Sequence, residues 1–131
     1  MSQILPQTLL ALDCSTDVLS LALQTPQKTH VRELAAGAQS SQVVLHEIEH
    51  LLNEAQAPWS ALQLLVCGRG PGGFTGVRVA IAVMQGLAFA RALPVYAVSG
   101  LLAVAEEARM ALAADATNWQ VRAMLDARMG Q

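Results

Sequence analysis

The spacing of apolar and polar residues divides this chain into short extended runs and longer helical stripes. Thr8–Leu12 (TLLAL) is a brief apolar run that ends in the polar, turn-forming cluster Asp13-Cys14-Ser15-Thr16-Asp17. Val18–Thr25 alternates at first and is closed by Pro26, and Lys28–Ala36 is a third extended run before a break at Gly37–Ser41. Three strands with short connections predict an antiparallel meander. From Ser40 the period lengthens. Val44, Leu45, Ile48, Leu51, Leu52 and Ala55 fall within an arc of about 120° on a helical wheel, opposite His46, Glu49, His50, Asn53 and Glu54. Pro58 ends this helix, and Gln63–Cys67 (QLLVC) reads as a central strand covered on both faces. A helix follows the segment Gly68–Gly76 and runs to about Ala92. Pro94–Val98 is another strand, Ser99 is placed to cap a helix from Gly100 to about Ala114, and Asn118–Asp126 is a last strand. The order βββαβαβα plus one further strand predicts an α/β fold with a mixed sheet.

Several segments carry candidate chemistry. Gly68, Gly70 and Gly73 satisfy G-x-G-x-x-G between a strand and a helix, the spacing that lets backbone N–H groups approach a pyrophosphate. The companion acid about 20 residues on is missing, because the next acid is Glu106, and the unit stands on the fourth strand rather than the first. A P-loop would need Lys where this chain has Phe74. What remains is an anion-holding helix N-terminus, or a tight strand-to-helix connection with Thr75 as N-cap.

His46-Glu47-Ile48-Glu49-His50 matches H-E-x-x-H, which sets two imidazoles on one helix face with Glu47 as the possible base. That face is the polar side of the wheel, and His30 has no evident route to a third-ligand position, so a solvated helix face is the preferred reading. The expectation is no metal and no cofactor, with a zinc hydrolase using His46, Glu47 and His50 as the alternative. Asp13, Ser15 and Thr16 form a turn able to hold a metal-bound phosphate, and are equally ordinary turn residues. Cys14 lacks a base and reads as a small buried side chain.

The helix after the glycine segment is apolar around almost its whole circumference, from Val79 and Val83 to Phe89 and Ala90, and must be covered all round. Ala82, Gly86 and Ala90 recur every four residues, a ridge that lets a second helix come close. Burial within the domain is one account; a subunit interface is the preferred one. Composition favours the second. Charged residues are 14% of the chain against ~25% in ordinary soluble domains, and hydrophobic residues are 53%, more than one small core hides. Such a chain collapses rather than staying disordered. A net charge of −2 and seven scattered arginines argue against direct nucleic-acid binding. The apolar run Val79–Ala90 is bracketed by Arg78 and Arg91 and falls short of the ~20 residues of a membrane span. No basic region precedes Thr8–Leu12, and Cys14 and Cys67 lack CxxC spacing. The expectation is a soluble cytoplasmic protein with reduced thiols.

Four segments, LALDCSTDVLSLAL (Leu10–Leu23), GRGPGGFTGVRVAIAVMQGLAFA (Gly68–Ala90), PVYAVSGLLAVA (Pro94–Ala105) and LDARMGQ (Leu125–Gln131), together resemble the bacterial TsaB (YeaZ) family. The family pattern reads L-D-T-S-T, G-P-G-S-F-T-G-L-R, a strand-helix unit, and D-A-R-x-G. The resemblance covers nearly the whole chain, and its glycine segment is highly specific. It implies an actin/Hsp70-like ATPase (ribonuclease H-like) fold built from two similar halves, with 1–115 as the first half and 116–131 as a truncated start of the second.

The resemblance also implies a role in forming N6-threonylcarbamoyladenosine in tRNAs that read codons beginning with A. The chain would be an accessory subunit and an inactive paralogue of the transferase, although older labels call the family glycoproteases. Its partners would be a TsaD-like transferase, a TsaE-like ATPase in a larger complex, and a second copy when alone. Transfer RNA would be met only through the complex, and no membrane is implied. Asp13, Ser15 and Thr16 would be a vestigial phosphate loop beside the glycine loop of Gly68, Gly70, Gly72, Gly73 and Gly76. Leu45, Leu52, Val79, Ala82, Val83, Gly86 and Ala90 would form the partner surface. The paralogue's metal-binding segment follows the strand matching Pro94–Val98, where this chain has Ser99–Val104 without a ligand, and HEIEH lies elsewhere. Cys14 departs from the pattern's Thr, Gly73 from its Ser, and Ser40 stands where many members carry His.

Overall fold

The computed structural model describes residues 7–112, 114–115, 117–118 and 120–125. Strands β1 (Leu9–Asp13), β2 (Leu19–Gln24) and β3 (Thr29–Leu34) lead into helix α1 (Ser40–Glu54). Strand β4 (Leu64–Gly68), helix α2 (Phe74–Arg91), strand β5 (Val95–Val98) and helix α3 (Gly100–Leu112) follow. Short 3₁₀ turns at Gly37–Gln39 and Trp59–Ala61 precede α1 and β4. The sheet order is β3-β2-β1-β4-β5. The first three strands are the expected antiparallel meander, while β4 and β5 add in parallel, each after a helical crossover.

The register explains the core. Leu10 pairs with Leu23 and Leu12 with Leu21 across β1 and β2, and Leu65 and Cys67 of β4 stand beside Leu10 and Leu12. Successive strand residues face opposite ways, so all these side chains share one face. Val44, Ile48, Leu51 and Leu52 of α1 and Ala80 and Met84 of α2 close over that face, and every one is buried. Each fully buried leucine contributes about 1.5–3 kcal/mol.

Four expectations are corrected here. Leu52, expected on the partner surface, is 2% exposed because it lies on the sheet side of α1; Leu45, at the edge of the stripe, is 55% exposed. Strand β4 is not covered equally on both faces: Leu65 and Cys67 are buried but Leu64 and Val66 only half so, because α1 and α2 pack on the same side. Thr75 is not the N-cap of α2. The helix begins at Phe74, so Gly73 takes that position, without a side-chain cap. No strand forms in the described part of 118–126, because a strand needs a neighbour to bond and, among the described residues, the sheet ends at β5. Trp119 and Asp126 lie outside the described residues.

Helices α1 and α2 end alike. Gln56 and Ala92 adopt the left-handed conformation (φ 52° in each), and the next N–H reaches back five residues, Ala57 to the Leu52 carbonyl and Leu93 to that of Ala88, both at 3.0 Å. Pro58 and Pro94 follow, as is common after this stop. A Cβ is strained in this conformation, so Ala92→Gly is expected to stabilise the chain by about 1 kcal/mol, read from the urea midpoint. An unchanged midpoint would mean the strain is relieved elsewhere.

Candidate functional site at the glycine segment and the exposed face of α2

Because β1 and β4 run parallel side by side, their C-terminal ends bring the Asp13–Asp17 turn against the glycine segment. This edge of a parallel sheet is where α/β folds place ligands. Asp13 Oδ1 accepts from the Ser15 N–H (2.8 Å) and the Ser15 hydroxyl (2.6 Å), and the Gly73 N–H donates to the Ser15 carbonyl at 2.7 Å. A Cβ at Gly76 would overlap the Cys14 carbonyl oxygen, and one at Gly72 would overlap the backbone of Ser15. Gly68 is held as closely by the Asp13 carboxylate. The glycines therefore let two backbone segments touch. Gly70, at φ +84° ahead of a cis Pro71, turns its carbonyl to the Gly100 N–H (2.8 Å) and so ties the start of α3 to the same loop.

The structure brings Asp13 and Ser15 to the glycine segment but not Thr16, whose hydroxyl accepts from the Val18 N–H (3.2 Å) just before β2. The Asp13 carboxylate, the Ser15 hydroxyl and carbonyl and the Gly73 N–H are thus engaged with one another. Cys14 and Cys67 are both buried. Burial, then the Asp13 carboxylate and the Cys67 thiol, push Cys14 up to about 11; burial and then Asp13 raise Cys67. A thiol whose folded-state value is raised holds its full contribution below the unfolded value and loses it as pH climbs. Folded-state stability should therefore decline from pH 9.0 towards about 11. At pH 8, iodoacetamide should label native chain far more slowly than urea-unfolded chain; equal rates would contradict the burial.

On α1, His46 and His50 are exposed with their rings stacked, centroids 6.3 Å apart and planes 10° from parallel. Glu47, the general base of the motif, is turned to Arg32 of β3 at 3.3 Å, and Arg32 also pairs with Glu54. The hydrogen bond from Arg32 holds the Glu54 carboxyl below the usual carboxylate range. Among the described residues no three His, Cys, Asp or Glu side chains group as a metal site. Arg32 was missed by the sequence reading. Only the strand register shows why it matters: Arg32 stands opposite Leu21, on the helix-covered face, where a cation needs carboxylate partners.

Helix α2 is covered on one side only. Ala80 and Met84 are buried and Val79, Val83 and Leu87 are half-buried, whereas Ala82, Gly86, Phe89 and Ala90 are exposed, Phe89 at 93%. A Cβ at Gly86 would meet nothing within 4 Å. By length and composition alone, α2 could cross a membrane. Its place between the parallel strands β4 and β5 instead holds it on the sheet.

The family model for TsaD, tRNA N6-adenosine threonylcarbamoyltransferase, matches residues 23–131. The tRNA threonylcarbamoyladenosine biosynthesis protein TsaB of Haemophilus influenzae is 42% identical over 95% of this chain and 51% of its own length. TsaB of Escherichia coli is 33% identical over 94% of this chain and 52% of its own. The solved structure of YeaZ from Pseudomonas aeruginosa superposes with a TM-score of 0.76 at 44% identity, over 79% of this chain and 49% of that one. The chain belongs to the TsaB/YeaZ family. It spans about half the length of the curated TsaB relatives it matches. A likeness to Thermus thermophilus RuvC, TM-score 0.50 at 16% identity over 82% of this chain and 71% of RuvC, speaks to the fold alone. With the YeaZ match, the five-stranded mixed sheet fits the actin/ribonuclease H-like fold implied by the motifs.

Proposed function

We propose that this chain is the leading part of a non-catalytic accessory subunit in the formation of N6-threonylcarbamoyladenosine in tRNAs that read codons beginning with A. It acts by pairing with a TsaD-like transferase. The names of its TsaB relatives support the pathway, and the uncovered face of α2 carries the mode of action. Ala82, Gly86 and Ala90 leave room for a second helix at close range, with Phe89 and Leu45 as apolar flanks. Val79 and Val83, half-buried, lie at its margin. When alone the chain uses this face for a second copy, and a TsaE-like ATPase joins the larger assembly. Transfer RNA is met through that assembly, in the cytoplasm and without a membrane. Division at about residue 115 separates the first actin-like half from the start of the second.

Asp13 and Ser15 are bonded to each other and Gly73 to Ser15, which fits a loop that braces the fold rather than one that turns over a nucleotide. The test is co-purification with a TsaD homologue followed by an assay of tRNA threonylcarbamoylation. The expected result is stable association, with transfer only when the TsaD-like protein is present. Failure to associate, or transfer by this chain alone, would overturn the reading.

A further inference from the structure

The row of small residues on the bare side of α2 has a charged member. Four residues before Ala82 stands Arg78, so Arg78, Ala82, Gly86 and Ala90 follow one another at helical spacing along the same side. Arg78 is exposed, and its guanidinium carbon lies 4.9 Å from the ring centroid of Phe74, itself 75% exposed. Among the described residues the ion pairs are made by Arg32, His50 and Arg109, and Arg78 joins none of them. The sequence around it offers no carboxylate either. Between Glu54 and Glu106 the charged residues are Arg69, Arg78 and Arg91, all cations. The first turn of α2 holds no acid, so the partial positive charge of the helix N-terminus adds to that of Arg78. We propose that Arg78 sets the partner preference of this face, selecting a partner helix that presents a carboxylate against the start of α2 over a second copy of the chain. The inference rests on α2 being the contact surface, as proposed above.

The physical reason is desolvation. A helix seated on Ala82, Gly86 and Ala90 comes within about 8–10 Å of the α2 axis and covers the rest of their row. A guanidinium taken out of water without an opposite charge opposes binding, whereas one met by a carboxylate is compensated and discriminates against partners that lack the acid. With its guanidinium over Phe74, Arg78 also loses less side-chain freedom when that carboxylate arrives. A second copy cannot supply the acid from α2. Antiparallel pairing of two α2 helices about Gly86 brings Arg78 of each to the C-terminal end of the other, where Arg91 stands and no acid does. From α1, a second copy has Glu49 to offer, exposed one turn beyond Leu45. Self-pairing through this face is therefore the weaker association.

Capture of wild type, Arg78→Gln and Arg78→Glu by a TsaD homologue, beside sedimentation of each chain alone, tests this. Arg78→Gln is expected to weaken capture about tenfold and Arg78→Glu roughly a hundredfold, with self-association unchanged or stronger and urea midpoints unmoved. Added salt should weaken capture of wild type more than that of Arg78→Gln. Equal capture of wild type and Arg78→Glu overturns the proposal. Self-association that falls in Arg78→Glu and equally in Glu49→Gln overturns it too, because the answering carboxylate then belongs to a second copy. Gly86→Leu separates this inference from the reading beneath it. If Gly86→Leu loses capture while Arg78→Glu keeps it, the surface stands and selection by Arg78 falls; if neither variant changes capture, both fall.

Discussion

Gly76→Ala is expected to cost the chain about 3 kcal/mol or more, a large part of the 5–15 kcal/mol that holds a domain of this size together. The added methyl would overlap the carbonyl oxygen of Cys14. That oxygen is backbone at the end of β1, followed by a turn fixed through the Asp13–Ser15 and Gly73–Ser15 bonds, and cannot move without moving the sheet. Helix propensity alone would predict the opposite sign, since alanine is the better helix former by about 1 kcal/mol. Gly86→Ala, ten residues further along the same helix, meets open space and should gain close to that amount. Urea unfolding of the two variants beside wild type separates the effects. A Gly76→Ala chain within about 0.5 kcal/mol of wild type would show that the clamp between the glycine segment and the β1–β2 turn does not carry the load assigned to it.

The second large effect concerns assembly. Gly86→Leu should leave the fold intact, because its side chain points into free space, and should weaken pairing at least tenfold, or about 1.4 kcal/mol. Packed helices approach to about 8–10 Å, and a leucine at the centre of a small-residue ridge pushes them apart. Sedimentation of the chain alone and capture by a TsaD-like partner both read this out. Gly86→Ala gives a finer version: it should raise the urea midpoint and weaken association together, a split that a purely structural glycine would not produce. Assembly unchanged in Gly86→Leu would remove α2 from the partner surface and leave the accessory role without its contact.

The element order, the two proline-marked helix ends and the meander were readable from the chain because each rests on local chemistry. Leu19, Leu21 and Leu23 alternate, the α1 leucines recur at helical spacing, and Pro58 and Pro94 stop what precedes them. The family followed from the same stretch of residues, since a segment such as GRGPGGFTG is rare enough to identify a fold. Periodicity placed Leu45 and Leu52 together on one stripe, yet the structure puts one in solvent and the other in the core. A wheel gives direction and not depth; how far a neighbour extends over a residue is decided by the packing of other elements. For the same reason α2, apolar all round, showed that something must cover it, and only the fold showed which side stays bare. The glycines of Gly68–Gly76 suggested a cradle for phosphate, whereas the tertiary structure fills the space with the chain's own β1–β2 turn. Arg32 and Glu47 are fifteen residues apart, and nothing local joins them. Their pairing exists because β3 and α1 are pressed together, and it is this contact that takes the glutamate out of H-E-x-x-H and leaves the histidines alone at the surface.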